Sequence, residues 1–190
     1  NARDTFEEVY RKYSFERYFD SFDHYYTIYQ QRNTELWIEY GEGKITKDEL
    51  NRQRFSYPLQ AVGVEDETLA EKFSEDFFAI IPTKSGLMPY AKEVLEYLAP
   101  KYNLYILSNG FRELQSRKMR SAGVDIYFKK VILSEDLGVL KPWPEIFNFA
   151  LSATQSELRE SLMIGDSWEA DITGAHGIGM HQAFYNVTGR

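Results

Sequence analysis

The feature that most constrains the fold is a change of hydrophobic pattern between Pro82 and Pro89. Ahead of it, apolar residues recur at the three- and four-residue spacing of amphipathic helices, and no stretch has the pattern of a strand. Beyond it, short apolar runs alternate with helical segments, which is typical of βαβ units and a parallel sheet. The sequence therefore predicts a helical domain over residues 1–83 and an α/β domain over residues 84–190.

The helical part contains one well-marked helix start. Thr46 and Glu49 stand in the order of a capping box, and Ile45 and Leu50 occupy the two positions of a hydrophobic staple. Apolar residues at helical spacing predict further helices. They form four groups: Phe6, Val9, Tyr10 and Tyr13; Phe15, Tyr18, Phe19 and Phe22; Leu36, Trp37 and Tyr40; and Leu69, Phe73, Phe77 and Ile81.

The α/β part alternates between the two patterns. Apolar runs predict strands and helical spacing predicts helices, joined by right-handed crossovers. The predicted strands are 102–107, 130–133, 162–164 and 180–185, and the predicted helices are 90–98, 111–122 and 144–152. Because the run from Leu162 to Ile164 is wholly apolar, we expect this strand to be buried.

Composition excludes several classes of function. The formal net charge of -7, without a basic cluster, argues against binding to nucleic acid or to an anionic membrane surface. No apolar run approaches the roughly 20 residues that span a bilayer. The absence of cysteine excludes disulfides, thiolate nucleophiles and cysteine-bound zinc. We therefore expect a cytoplasmic protein, and the sequence leaves its oligomeric state open.

Two carboxylates follow the strand that begins at Leu162. Asp166 comes directly after Gly165, and Asp171 stands five residues later, where a helix is predicted to begin. Hard oxygen ligands at the end of a parallel strand suit Mg²⁺, which binds one or two carboxylates together with substrate phosphate oxygens. An acidic loop with a helix N-cap is the alternative interpretation.

Two further strand ends carry groups that suit an anion. Ser108-Asn109-Gly110 follows the first predicted strand and can offer hydroxyl, amide and backbone donors, although a plain capping turn remains an alternative. Lys141 lies in a stiff, apolar segment before Pro142 and can supply a point positive charge, unless it is merely an exposed lysine. Since the carboxyl ends of parallel strands converge, these groups together predict phosphoryl transfer.

Taken in order, these motifs resemble those of a known family. Leu107-Ser108-Asn109-Gly110, then Lys141-Pro142, then Gly165-Asp166-Ser167-x-x-x-Asp171 are similar to the second, third and fourth motifs of the haloacid dehalogenase (HAD) superfamily. The resemblance implies a Rossmann-like core with an all-helical cap of the first subfamily. Within the helical part, Trp37-Ile38-Glu39-Tyr40, Gly43-Lys44-Ile45-Thr46 and Arg54-Phe55 resemble the branch that includes the noncanonical pyrimidine nucleotidases.

The resemblance implies roles for the motif residues. Ser108, Asn109 and Gly110 would hold the transferring phosphate, and Lys141 would stabilise the charge of phosphate and nucleophile. Asp166 would bind Mg²⁺, and Asp171 would assist directly or through water. Haloacid dehalogenases proper need no metal, and their fourth motif lacks the Gly-Asp pair, so this motif favours a phosphatase.

The first motif of the family, Asp-x-Asp-x-Thr/Ser, is absent from the sequence. Asp4-Thr5 does not fit it, because no buried strand precedes these residues and the helical pattern continues through them. The family's aspartyl nucleophile and general acid–base would therefore lie on a strand upstream of residue 1. We expect the 190 residues to be an internal part of a longer chain.

The expected function is that of a Mg²⁺-dependent phosphatase for small phosphomonoesters, with nucleoside 5'-monophosphates as the first candidates. Trp37, Arg54, Phe55 and Tyr57 would meet the leaving group, and packing between the helices is the alternative for the aromatic side chains. Three other functions remain open: a phosphomutase, a metal-independent haloacid dehalogenase, and a non-catalytic homologue that binds phosphate or a partner.

Overall fold

The structure, a computed structural model, describes residues 2–186. The chain divides between Gly86 and Leu87 into two compact parts. We refer to the first as the helical unit and to the second as the α/β unit. Among the described helices, none is both long and apolar enough to cross a membrane.

Within the described residues, four α-helices form the helical unit. They are α1 (Ala2–Lys12), α2 (Phe22–Gly41), α3 (Lys47–Ala61) and α4 (Glu67–Ile80), with short 3-10 turns at Phe15–Arg17 and Ile81–Thr83. The predicted capping box begins α3. The backbone N–H of Glu49 donates to the Thr46 hydroxyl at 3.2 Å, and the Thr46 N–H donates to the Glu49 carboxylate at 2.7 Å. Both bonds satisfy donors that a helix start otherwise leaves free.

The stretch from Phe15 to Phe22 is not the single helix that its spacing predicts. Ser14 adopts a left-handed conformation with φ 52°, and Ser21 caps α2 by accepting the His24 N–H at 3.1 Å. The apolar spacing there serves packing instead, since Phe15 and Phe19 are 1% and 3% exposed. Local capping and burial of the rings together replace the helix that periodicity alone suggested.

An aromatic core holds the helical unit together. The Phe6 ring of α1 lies 4.2 Å from the Tyr29 ring and 4.3 Å from the Phe77 ring, measured between centroids. The Phe15 and Phe73 rings stack at 4.9 Å. Burial of each such ring contributes about 1.5–3 kcal/mol, so these contacts dominate the packing of the four helices.

The α/β unit contains four short strands and five α-helices within the described residues. Its strands are β1 (Tyr105–Ser108), β2 (Lys130–Leu133), β3 (Leu162–Gly165) and β4 (His181–Phe184). Its helices are α5 (Ala91–Leu98), α6 (Arg112–Ser121), α7 (Ser134–Leu137), α8 (Pro144–Thr154) and α9 (Gly174–Gly177), and a π-helical turn at Trp168–Thr173 precedes α9.

The strands pair in parallel, as the alternating pattern predicts. β1 pairs with β2, with Leu107 opposite Ile132, and β3 pairs with β4, with Ile164 opposite Ala183. Within residues 2–186 the two pairs do not bond to each other. One cluster of buried apolar side chains in the core of this unit comes from β2, α8, α9 and the approach to β4: Ile132, Ile146, Phe147, Ala175 and Met180.

The expectation that β3 is buried is wrong. Leu162 and Ile164 are each 56% exposed, although both are large and apolar. Successive strand residues point to opposite faces, so these two share one face, and among the described residues only β4 bonds to β3. The fold class itself is confirmed, because an all-helical unit precedes a unit of parallel strands and helices.

Candidate active site

The Lys141 ammonium connects two of the three predicted motifs. Its Nζ atom donates to the Leu107 carbonyl at the end of β1, at 2.9 Å, and pairs with Asp171 Oδ1 at 2.5 Å. Asp171 lies in the turn after β3, so this one side chain links the carboxyl ends of the two strand pairs. The structure thereby brings together residues that stand more than 60 positions apart in sequence.

The ion pair is almost fully buried. The side chains of Lys141 and Asp171 are 10% and 6% exposed. Buried charges need a partner and further hydrogen bonds, and both groups have them here. An ammonium has three N–H donors. Since Lys141 uses two within the described residues, the third is left for an additional acceptor such as a phosphate oxygen.

The turn after β3 brings the Asp171 carboxylate back beneath the strand end. Its Oδ2 atom accepts the backbone N–H of Ser167 at 3.1 Å, while the Ser167 hydroxyl accepts the Ala170 N–H at 3.1 Å. A side chain at Gly165 would collide with Asp171, because a Cβ there would lie 2.5 Å from the Asp171 Cβ. The glycine of the Gly-Asp motif is therefore required by this close approach.

The Asn109 side chain holds the backbone of Lys141. Asn109 Oδ1 accepts the Lys141 N–H at 2.8 Å, and Asn109 Nδ2 donates to the Lys141 carbonyl at 3.0 Å. The peptide bond between Lys141 and Pro142 is cis. Gly174 permits the tight packing of this segment, since a Cβ there would lie 3.0 Å from the Pro142 Cα. The contacts of Asn109 therefore fix where the Lys141 side chain starts.

The Ser108 hydroxyl accepts two hydrogen bonds. The donors are the Gly110 backbone N–H at 3.0 Å and the Gln115 Nε2 atom at 2.7 Å. Ser134, which is 2% exposed, donates to the Asn109 carbonyl at 3.2 Å. Sequence reasoning missed Gln115 and Ser134. Gln115 stands one turn into the helix after Ser108-Asn109-Gly110, a position at which a polar side chain can return to the strand end.

Asp166 occupies the position predicted for a metal ligand, directly after β3, and is exposed to solvent. Asp171 has one carboxylate oxygen on Lys141 and the other on the Ser167 N–H. Across residues 2–186, no three His, Asp or Glu side chains converge as a metal site would require. Asp166 thus fits the preference of Mg²⁺ for one or two carboxylates, with its other coordination positions left to water and substrate phosphate. The described residues supply only part of such a ligand set.

The candidate substrate residues of the helical unit differ in exposure. Phe55 is 2% exposed, and its ring lies 5.5 Å from that of Phe77. Arg54 is 7% exposed, lies 5.1 Å from the Phe78 ring and donates to Asn51 Oδ1 at 2.6 Å; burial lowers its pKa. Trp37 is half-buried on α2. Contact of these residues with a substrate stays a prediction.

Comparison with known proteins agrees with the motifs. The sequence matches the family of haloacid dehalogenase-like hydrolases over residues 3–179. HAD-hydrolase YfnB of Bacillus subtilis is 34% identical over 160 residues, which are 83% of this chain and 67% of that protein. The pyrimidine 5'-nucleotidases YjjG of Escherichia coli and PynA of Streptococcus pneumoniae are both 32% identical. These matches cover 84% and 85% of this chain and 69% and 68% of those proteins.

Solved structures share the fold. The crystal structure of YfnB bound to magnesium matches with a TM-score of 0.87 and 27% identity, over 100% of this chain and 85% of that one. L-2-haloacid dehalogenase from Xanthobacter autotrophicus matches with a TM-score of 0.76 at 21% identity, over 97% of this chain and 71% of that one. The resemblance inferred from the motifs is confirmed: this chain belongs to the family of haloacid dehalogenase-like hydrolases.

Proposed function

We propose that this protein is a Mg²⁺-dependent phosphatase that hydrolyses small phosphomonoesters through an aspartyl-phosphate. The observation that carries the proposal is the buried Lys141 ammonium, held by Leu107 and Asp171 at the end of β1. A fixed positive charge in a water-poor site stabilises the charge that develops during phosphoryl transfer, without the cost of reorienting solvent.

Other residues of the motifs take supporting roles. Ser108 binds a phosphate oxygen through its hydroxyl, and the backbone of Asn109 and Gly110 supplies further donors. The Asn109 side chain orients Lys141 through its two backbone bonds. Asp166 would hold Mg²⁺ with Asp171 in support, and the bound ion would neutralise phosphate charge. Support for a bound ion comes from the exposed carboxylate of Asp166 and from the magnesium in the structure of YfnB.

The nucleophile of the proposed reaction would be an aspartate on a further strand, outside residues 2–186. Support for such a strand comes from the edges of the two strand pairs. Both β1 and β3 bond to one neighbour within residues 2–186, and the exposed Leu162 and Ile164 give β3 an apolar face without cover. Unpaired backbone groups and exposed apolar area both favour the addition of a strand.

Nucleoside 5'-monophosphates, and pyrimidine nucleotides first, are the proposed substrates. The support is the 32% identity to two pyrimidine 5'-nucleotidases. Trp37, Arg54 and Phe55 in the helical unit are the proposed contacts of the leaving group. We also propose that the substrate is a small molecule and not a nucleic acid, and that the protein is cytoplasmic.

The test uses the full chain as expressed from its gene. Release of inorganic phosphate is measured from UMP, CMP, dTMP and AMP, with Mg²⁺ and with EDTA. We expect turnover that requires Mg²⁺ and is lost in the Lys141→Met variant. Turnover that persists in EDTA, or in Lys141→Met, would contradict the proposal.

Three other activities give different results in the same samples. A phosphomutase would isomerise a sugar phosphate in the presence of a bisphosphate, without net phosphate release. A haloacid dehalogenase would release halide from 2-chloropropionate in EDTA. A non-catalytic homologue would bind phosphate and release nothing. The Gly165-Asp166 pair favours the phosphatase over the dehalogenase, and the two nucleotidase relatives favour it over all three.

A further inference from the structure

Gln115 of α6 lies outside the motifs and yet contacts the reacting end of the site. We propose that Gln115 is a positioning residue that fixes the Ser108 hydroxyl as an outward donor to a phosphate oxygen. The identity of that acceptor rests on the proposed function. The orientation of the hydroxyl rests on the two hydrogen bonds that its oxygen accepts, from Gln115 Nε2 and from the Gly110 N–H.

The hydrogen bonds of Ser108 determine this orientation. A serine hydroxyl has two acceptor lone pairs and one O–H donor. Its oxygen accepts the Gln115 Nε2–H at 2.7 Å and the Gly110 N–H at 3.0 Å. Both lone pairs are thereby used, so the O–H bond must point away from both donors. Within the described residues the Ser108 hydroxyl proton has no acceptor. It is therefore the one group of this side chain that is still able to form a hydrogen bond.

This arrangement selects one kind of chemistry for Ser108. Attack on phosphorus needs a free lone pair and a base, and the two accepted bonds occupy both lone pairs. A donor, by contrast, suits a phosphate oxygen, which only accepts. Ser108 therefore serves in binding and charge stabilisation, while the nucleophile is supplied elsewhere.

The glycine at position 110 is a second indication that the sequence favours the contact between Gln115 and Ser108. A Cβ at Gly110 would lie 2.5 Å from Gln115 Nε2 and 3.2 Å from its Cδ atom. Any side chain at this position would therefore push Gln115 away from Ser108. The Gln115 backbone is fixed as well, since its N–H donates to the Phe111 carbonyl at 3.0 Å in the first turn of α6.

The test combines substitutions at Gln115 with Ser108→Ala in the full chain. Gln115→Leu removes the donor at nearly constant volume, and Gln115→Glu replaces it with an acceptor toward which the Ser108 proton would turn. Arg117→Ala, at an exposed position on the same helix, is the control. Each variant is titrated with inorganic phosphate in Mg²⁺ by calorimetry, and KM and kcat are measured separately.

We expect Gln115→Leu to weaken phosphate binding and raise KM by roughly 3- to 10-fold, the usual effect of one lost hydrogen bond. Gln115→Glu should lose as much affinity as Ser108→Ala or more. In the Ser108→Ala background, Gln115→Leu should have no further effect, because Gln115 acts through the hydroxyl. Arg117→Ala should bind and turn over as the unsubstituted protein does.

Two results would overturn the inference: equal effects of Gln115→Leu with and without the Ser108 hydroxyl, or wild-type affinity in Gln115→Glu. The titration needs no turnover, so the two proposals can fail separately. Phosphate binding with the expected coupling but no hydrolysis would refute the phosphatase and support the inference. Hydrolysis without coupling between the Gln115→Leu and Ser108→Ala substitutions would support the phosphatase and refute the inference about Gln115. A protein that binds no phosphate would refute both proposals.

Discussion

Gly165→Ala tests whether the turn after β3 is built around the Lys141–Asp171 ion pair. The added Cβ would lie 2.5 Å from the Asp171 Cβ and closer still to the carboxylate. Carbon atoms in contact are separated by about 3.5–4.0 Å, so the Asp171 side chain must move by about 1 Å. The 2.5 Å contact with Lys141 and the 3.1 Å bond from the Ser167 N–H cannot both survive such a shift.

The expected loss of stability follows from the burial of the pair. With side chains 10% and 6% exposed, Lys141 and Asp171 are poorly solvated when separated. Disruption of a buried pair costs about 3–5 kcal/mol, because it leaves uncompensated charge in the interior. We therefore expect Gly165→Ala to lower the free energy of unfolding of the α/β unit by about 3 kcal/mol or more.

The assay is urea unfolding of the full chain, with Gly177→Ala as the matched control. Within the described residues, a Cβ at Gly177 would have no atom within 4 Å apart from its chain neighbours and the backbone of its own helix, and its φ is not positive, so alanine fits there without strain. We expect the control to remain within about 0.5 kcal/mol of the unsubstituted protein or to gain slightly. If Gly165→Ala proves as stable as Gly177→Ala, the turn tolerates a side chain and the reasoning fails.

Three other predictions concern separate parts of the molecule. Thr46→Ala removes the capping box of α3 and should lower the stability of the helical unit by about 1 kcal/mol in thermal unfolding; an unchanged midpoint would contradict it. The hydrogen bonds from Lys12 and Tyr13 lower the pKa of Asp76, so its contribution to stability is present above the ordinary carboxyl pKa and is lost as the pH falls through the lowered one. Asp76→Asn should therefore reduce the acid sensitivity of unfolding below about pH 4, and an unaltered pH profile would refute this. Asp166→Asn should abolish Mg²⁺-dependent phosphate release while leaving the fold intact by circular dichroism; retained turnover would remove Asp166 from the metal site.

Local features of the fold were readable from sequence because their causes are local. The capping box at Thr46 involves residues three positions apart, and the structure has both of its bonds. Helical spacing failed between Phe15 and Phe22, where the left-handed Ser14 and the Ser21 cap divide the chain. The regular spacing of aromatic residues there reflects burial of their rings and not a helical backbone.

The exposure of β3 shows what local sequence could not predict. An apolar run such as Leu162 to Ile164 indicates that the residues can be buried. Whether they are buried depends on what packs on each face of the strand. Among residues 2–186 only β4 bonds to it, and two of its apolar side chains are exposed. No property of the run itself contains that information.

The sequence by itself determined the family, the two-part architecture and the positions of the motifs, because each of these depends on residue type and spacing. The tertiary structure alone decided which atoms of those motifs meet. Asn109 lies against the Lys141 backbone, Asp171 against its ammonium, and Gln115 against Ser108. Such contacts join residues on different elements, and their partners are set by how those elements pack in three dimensions.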